Sequence, residues 1–324
     1  MSKVLKLAAV LLILTVTLSC GCVSKESPKG IEVVDMAGKK VILSEMPKRA
    51  VFLAGESWIY ALGIKDKVAG VSRWAYKNPI ILKIDPNVKE IPSPGDMASV
   101  NVEELTRLNP DVVIVWDEPP PYAKTSERIE KLGIPVIRIG HIEKYPDDIC
   151  KEAKLLGKVF GVEDRAEKVC AYLTEKYNEI KARAPEDKVK VIYSFTSPNR
   201  IAAKDCSYSE YIKAVGGKNV GDIFDGVWIT VNKEWIIQQN PEVWIVSYYA
   251  KYNESAILND PALRDVTAVK KRAVYKGSYR PLHHLEPYFI LTVMEYAKWI
   301  HPDVYKFNLS EGEKEFLSEV YGVG

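Results

Sequence analysis

The sequence predicts an α/β protein of two Rossmann-like lobes with parallel sheets, joined by one long rigid helix. Three observations carry this. Apolar, β-branched runs alternate with helical stretches along the chain, the pattern of parallel strands with helices on both faces. One passage occurs twice: NVEELTRLNPDVVIVW at 101–116 and NKEWIIQQNPEVWIVS at 232–247 match in register without a gap. Finally, EDRAEKVCAYLTEKYNEIKAR at 163–183 places Ala166, Val169, Leu173, Tyr177 and Ile180 at spacings of three and four, which is one face of a long helix.

In the first half, strands are expected at 50–54, 68–71, 112–116 and 135–139, with helices at 57–62, 102–108 and 126–132. Gly63, Asn109-Pro110 and Gly133 end those helices, as breakers do. In the second half, strands are expected at 189–195, 243–248 and 273–275, and helices at 208–215, 233–239, 287–300 and 311–320. Between the halves, 147–183 is almost free of breakers, interrupted once by Gly157 and Gly161, and ends at Ala184-Pro185. The implied lobes are 31–155 and 186–324, with a connecting helix at 156–185. The repeated passage is then one element used in both lobes: a helix carrying a glutamate, an Asn-Pro break, and a buried strand. Glu103 and Glu234 are the paired glutamates.

The N-terminus reads differently. Lys3 and Lys6 precede an apolar run, 7–18, too short to span a bilayer and suited to a signal-peptide core. Leu18-Ser19-Cys20-Gly21-Cys22 follows, a pattern in which a small residue precedes a cysteine that becomes lipidated. Cys22, after Gly21, is the preferred lipidation site, Cys20 the alternative, and plain secretion the simpler possibility. Residues 1–22 are then the leader and 23–30 a polar tether, and the protein works outside the cell membrane, anchored to its outer face. Cys150, Cys170 and Cys206 remain in the body; they have no close metal-type spacing and read as buried small residues. The net charge of +2 excludes the strong field of a nucleic-acid binder. There is no P-loop, GxGxxG after a strand, HExxH or GxSxG, so no enzyme class is indicated.

Beyond the repeat, PKRAVFLAGESWIYALGIKDKVAGVS (47–72), LGIPVIRI (132–139), SEYIKAVGGKNVGD (209–222) and AVKKRAVYKG (268–277) occur in a fixed order. Over roughly 31–304 the chain resembles the periplasmic-binding-protein class that serves ATP-driven importers of ferric siderophores, haem and cobalamin. The resemblance implies two α/β lobes joined by a rigid helix, a metal-chelate ligand held between them, and docking of a monomer on a permease dimer with a cytoplasmic ATPase. It places Glu103 and Glu234 as the acids that dock on the permease; taken alone, each would serve as an acid favouring a helix N-terminus. It implies no cofactor and no catalytic residue.

Ligands of open α/β sheets gather beyond the carboxyl ends of strands. Those ends offer Arg73, Trp74, Met97 and Trp116 in the first lobe, and Trp228, Tyr248, Tyr279 and Arg280 in the second. Large aromatic rings suit a bulky chelate or macrocycle, and the resemblance places ligand contacts near Trp74, Met97, Trp116 and Trp228. Arg73 and Arg280 suit an anionic group. Trp244 and Trp299 read as packing residues. Of four histidines, His141, His283 and His284 fall on these loops as metal-ligand candidates, though ordinary loop histidines fit their spacing better; His301 reads as structural. A small oxyanion such as molybdate or tungstate, favouring the arginines, or a bare metal ion, favouring the histidines, is the alternative ligand. An extracytoplasmic enzyme or sensor on the same scaffold is the third reading.

Overall fold

A computed structural model describes residues 30–117, 122–140, 144–279 and 286–323. The chain opens with an antiparallel hairpin, β1 (Ile31–Val34) and β2 (Lys40–Leu43). The first lobe then runs β3 (Ala50–Phe52), α1 (Trp58–Ala61), β4 (Val68–Val71), α2 (Pro79–Ile84), a small antiparallel pair β5 (Gly95–Asp96) and β6 (Ser99–Val100), α3 (Val102–Arg107), β7 (Val112–Trp116), α4 (Tyr122–Glu130) and β8 (Val136–Ile139). Its sheet has the order β4-β3-β7-β8, parallel throughout. β7 is buried at every position, as a strand covered on both faces must be.

The carboxyl edge of this sheet begins earlier than the apolar pattern suggests. β3 stops at Phe52, and Leu53-Ala54 leave the sheet toward Gly55. Gly55 has φ of 67°, a conformation that favours glycine. A Cβ there would lie 2.5 Å from the Ile139 Cδ1, so glycine also lets the β3 and β8 ends approach closely.

Two helices follow, α5 (Asp147–Phe160) and α6 (Glu163–Ala182). Gly161, at φ 68°, closes α5 in the left-handed conformation, the usual glycine stop. Gly157 breaks nothing; it lies inside α5 where α6 crosses, and a Cβ on it would sit 2.8 Å from the Ala166 Cβ and 3.3 Å from the Glu163 Cα. A larger residue must push the helices apart. Gly157→Val is expected to destabilise the protein by about 1–3 kcal/mol through overpacking, read as a lower urea midpoint; an unchanged midpoint would show that the pair separates freely.

The second lobe runs β9 (Val189–Ser194), β10 (Arg200–Ala202), α7 (Ser207–Ala214), β11 (Gly217–Asn219), β12 (Trp228–Thr230), α8 (Lys233–Gln239), β13 (Val243–Val246), α9 (Ser255–Leu258), α10 (Thr267–Lys270), β14 (Val274–Lys276), α11 (Phe289–Ile300) and α12 (Leu309–Tyr321). β11, β9, β13 and β14 are parallel. β10 and β12 add an antiparallel edge that the apolar pattern did not reveal, because strands of three residues are shorter than any alternation can mark.

The repeated passage is repeated structure. Asn101 and Asn232 each cap their helix, accepting from the Glu104 N–H at 3.1 Å and the Trp235 N–H at 2.8 Å. Asn109 and Asn240 both adopt φ of 46° before their prolines. Asp111 then accepts from the Arg49 N–H at 3.0 Å, and Glu242 from the Lys190 N–H at 3.2 Å, so each acid ties its strand to the start of the neighbouring chain segment.

The lobes share more than α6. Residues of both belong to one continuous apolar core. α12 returns to pack on α6 and α1, and Arg165 on α6 donates to the carbonyls of Ala61 at 2.8 Å and Val320 at 2.5 Å. Lys83 pairs with Glu313, and Asn78 donates to the Tyr288 hydroxyl at 3.0 Å. Tyr145 packs edge-on against Tyr211 with centroids 4.9 Å apart. A core continuous across the junction resists wide opening, because opening would expose apolar surface.

Candidate ligand cleft and docking faces

Parallel β4, β3, β7 and β8 deliver their carboxyl ends to one edge. After β4, Ser72 accepts from the Trp74 N–H at 3.1 Å. Trp74 is 40% exposed, a large ring left in solvent, which marks an interaction surface more than a packing position. The Arg73 guanidinium and the Lys77 ammonium lie 5.9 and 5.8 Å from its ring centroid, within cation–π range. Arg73 Nε also donates to Asp96 Oδ2 at 2.6 Å. Asp96 is buried, and its other oxygen accepts from the Ala98 and Ser99 N–H groups at 3.0 Å. Arg73 is therefore aimed by its carboxylate partner while half its side chain stays exposed.

Met97 and Trp116 are nearly buried. Thr125 of α4 donates to the Met97 carbonyl at 3.0 Å, fixing the β5–β6 turn, and Trp116 closes β7 opposite Ile139. Arg73, Trp74, Asp96 and Met97 thus form one group.

The second lobe presents a wall of rings. Trp228 stacks on Phe195 with centroids 4.4 Å apart and planes 14° from parallel. Tyr249 meets Phe195 edge-on at 6.0 Å, and Tyr208 stacks on Tyr193 at 4.3 Å. Tyr248, half-buried, adjoins Tyr249 at 5.6 Å. Phe195 was missed as a site candidate because it closes an apolar strand run; its place one residue past β9 was the available signal. Tyr279 is buried and donates to Glu313 Oε2 at 3.0 Å, a contact inside the second lobe whose acceptor also pairs with Lys83 of the first. Trp244, fully buried, donates to Ser194 Oγ at 2.8 Å, Trp299 stacks on Tyr275 at 5.1 Å, and the His301 ring meets the Gly216 carbonyl at 3.1 Å. Arg280, His141, His283 and His284 lie outside the described residues, as do Cys20 and Cys22.

Buried acids also line the junction, a feature no sequence pattern announced. Glu152 of α5 accepts from Trp58 Nε1 at 2.5 Å; burial holds its carboxyl well above the usual range, and Glu286 adds to this. Glu286 accepts from the Ser57 N–H at 3.0 Å. Inside the second lobe, Glu295 on α11 accepts from the Ser278 N–H at 3.3 Å, and burial pushes it up to about 7 from 4.5. Its folded pKa lies above its unfolded one, so the fold keeps a proton that the unfolded chain releases. Stability from this group is present below pH 4.5 and is lost as pH rises to about 7, on the order of 3 kcal/mol across that window. Glu295→Gln is expected to flatten this fall, measured as denaturant midpoints from pH 4.5 to 7; equal slopes in both proteins would remove Glu295 as the cause.

Glu103 and Glu234 each stand in the first turn of a short helix, α3 and α8, and both are exposed. Neither joins an ion pair among the described residues. Glu234 borders a hollow with Phe224, Asn232, Trp235 and Gln238. No cluster of metal-ligating side chains occurs among the described residues, and no helix among them is long and apolar enough to cross a membrane.

Two α/β lobes with strand ends turned toward aromatic and cationic side chains define a bilobal ligand-binding protein. The chain belongs to the periplasmic binding protein family, whose model matches residues 50–279. It is 25% identical over 285 residues to the ABC transporter substrate-binding lipoprotein YvrC of Bacillus subtilis, covering 85% of this chain and 87% of that one. A vitamin B12-binding protein of Vibrio campbellii is 27% identical over 203 residues, 60% of this chain and 68% of its own. A periplasmic solute binding protein from Veillonella parvula superposes with a TM-score of 0.75 at 26% identity, covering 90% of this chain and 93% of that one.

Proposed function

We propose that the protein is an extracytoplasmic binding lipoprotein, anchored through Cys22, that captures a metal chelate and delivers it to an ABC importer. The ligand class is a ferric siderophore, haem or cobalamin. The observation that carries the reading is the aromatic wall: the Trp228–Phe195 stack on the second lobe, with Trp74 exposed beside two cations on the first. Flat rings give a macrocycle or aryl chelate area without many ordered torsions, and Arg73 and Lys77 would meet its anionic groups. The vitamin B12-binding relative supports the same ligand class. The protein is not an enzyme in this reading, and its partners are a permease dimer and its cytoplasmic ATPase.

Titrating tryptophan fluorescence with a ferric siderophore, haem, cobalamin, molybdate and zinc tests the reading. A saturating response at submicromolar ligand to one chelate is expected. A response to molybdate or zinc alone would overturn the bulky-ligand reading while keeping the transport role.

A further inference from the structure

α5 and α6 cross at Gly157 and Ala166 so closely that their backbones nearly touch. Near that crossing, the Cys150 Sγ lies 3.7 Å from the Cys170 carbonyl oxygen, and the Cys170 Sγ lies 3.6 Å from the Cys150 carbonyl oxygen. Each thiol thus reaches over the other residue's backbone. Neither is in a disulfide. Cys170 is buried and Cys150 half-buried, opening on a groove of about 550 Å3 between the helices, bordered by Lys151, Lys154, Glu167 and Thr174.

We propose that Cys150 and Cys170 are a redox pair that closes into a disulfide, covalently tying α5 to α6. Cys150 is the attacking thiol. It is the reachable one, half-buried on the groove while Cys170 is buried, and the contact with Cys170, a hydrogen bond with Thr174 and the nearby Lys154 draw its thiol below the usual range. The oxidant is a low-molecular-weight or protein disulfide of an oxidising compartment, the setting that an extracytoplasmic protein meets. The Cys150 thiolate attacks one sulfur of that disulfide, forming a mixed disulfide and expelling the first thiolate. Cys170 then attacks the Cys150 sulfur. The Cys150–Cys170 bond forms, the second thiolate leaves, and the two protons from the protein thiols pass to the two leaving groups. Two protein thiols are oxidised and one external disulfide is reduced. The third body cysteine, Cys206, is buried at the start of α7 and takes no part.

Tying α5 to α6 stiffens the connector between the lobes. It limits the unfolded chain over a short loop, which in general stabilises a fold. This pair is independent of which ligand the cleft takes, so its test separates from that of the ligand reading.

The test is to equilibrate the full-length protein with oxidised glutathione, alkylate free thiols, and map the cysteine peptides by mass spectrometry. The expected result is a cross-linked peptide joining Cys150 and Cys170, with Cys206 alkylated. The melting temperature of the oxidised protein should lie several degrees above that of the reduced one. Cys170→Ser should leave Cys150 as a stable glutathione adduct, since nothing remains to resolve it. Alkylation of both Cys150 and Cys170 after oxidation, or a glutathione adduct that persists on Cys150 in the unaltered protein, would overturn the proposal. The mapping of the unaltered chain decides the matter even if the variant does not fold.

Discussion

Reversing the charge at Glu103 and Glu234, the acids we propose dock on the permease, is expected, as Glu103→Lys with Glu234→Lys, to abolish ligand uptake by cells while leaving ligand affinity unchanged. The two carboxylates occupy matched positions on α3 and α8, each two residues past a capping asparagine, and each is exposed. Docked on a two-fold permease, they would form charge-assisted hydrogen bonds to basic groups. Truncating one partner of such a contact costs about 2–5 kcal/mol, and reversal adds repulsion to that loss. Both sites lie on helices whose first turn favours acids, so some stability is lost too, about 0.3–1 kcal/mol each. Uptake measured with a labelled ligand, beside a binding titration of the same variant, separates the roles. If binding falls together with uptake, the two glutamates are structural and the docking assignment fails.

Trp228→Ala is expected to weaken chelate binding by about 1.5–3 kcal/mol, roughly ten- to a hundredfold in Kd. The variant removes a ring that stacks on Phe195 and lies 6.0 Å from Tyr193 and 6.1 Å from Tyr208, so both the contact and the arrangement of the wall are lost. Trp74→Ala should cost less, since Trp74 is 40% exposed and has less of its ring area to lose from a packed arrangement. Calorimetric titration with the chelate found by fluorescence measures both. Unchanged affinity in Trp228→Ala would take the aromatic wall out of the site.

Much of the scaffold was legible residue by residue. β4 and β7 fall at 68–71 and 112–116 as the apolar runs predicted, and α8 occupies 233–239. α8 is bounded locally, by the capping Asn232 and the left-handed Asn240, and the two strands are marked by their own apolar runs. The repeat was legible for the same reason, since each copy makes its own cap and its own left-handed Asn before proline. The antiparallel edge of β10 and β12 was not legible, nor was the role of Gly157, because both depend on a partner distant in the chain.

In the site, the sequence could nominate aromatics at strand ends, but only packing sorted them. Trp74 stays 40% exposed while Trp116 is 8% exposed, although one lies just past the carboxyl end of β4 and the other closes β7. Tyr279 looked like a cleft residue, yet its hydroxyl is committed to Glu313 of α12. Phe195 became part of the wall only once β12 had brought Trp228 beside it.

The sequence by itself determined the periodicities, the caps and the duplicated helix–turn–strand unit, because these rest on interactions between residues a few positions apart. The tertiary structure alone decided which rings face each other, which acids are buried between the lobes, and that Cys150 meets Cys170. Those outcomes depend on burial and contact between segments that come together only when the core closes, and no local pattern of residue types encodes them.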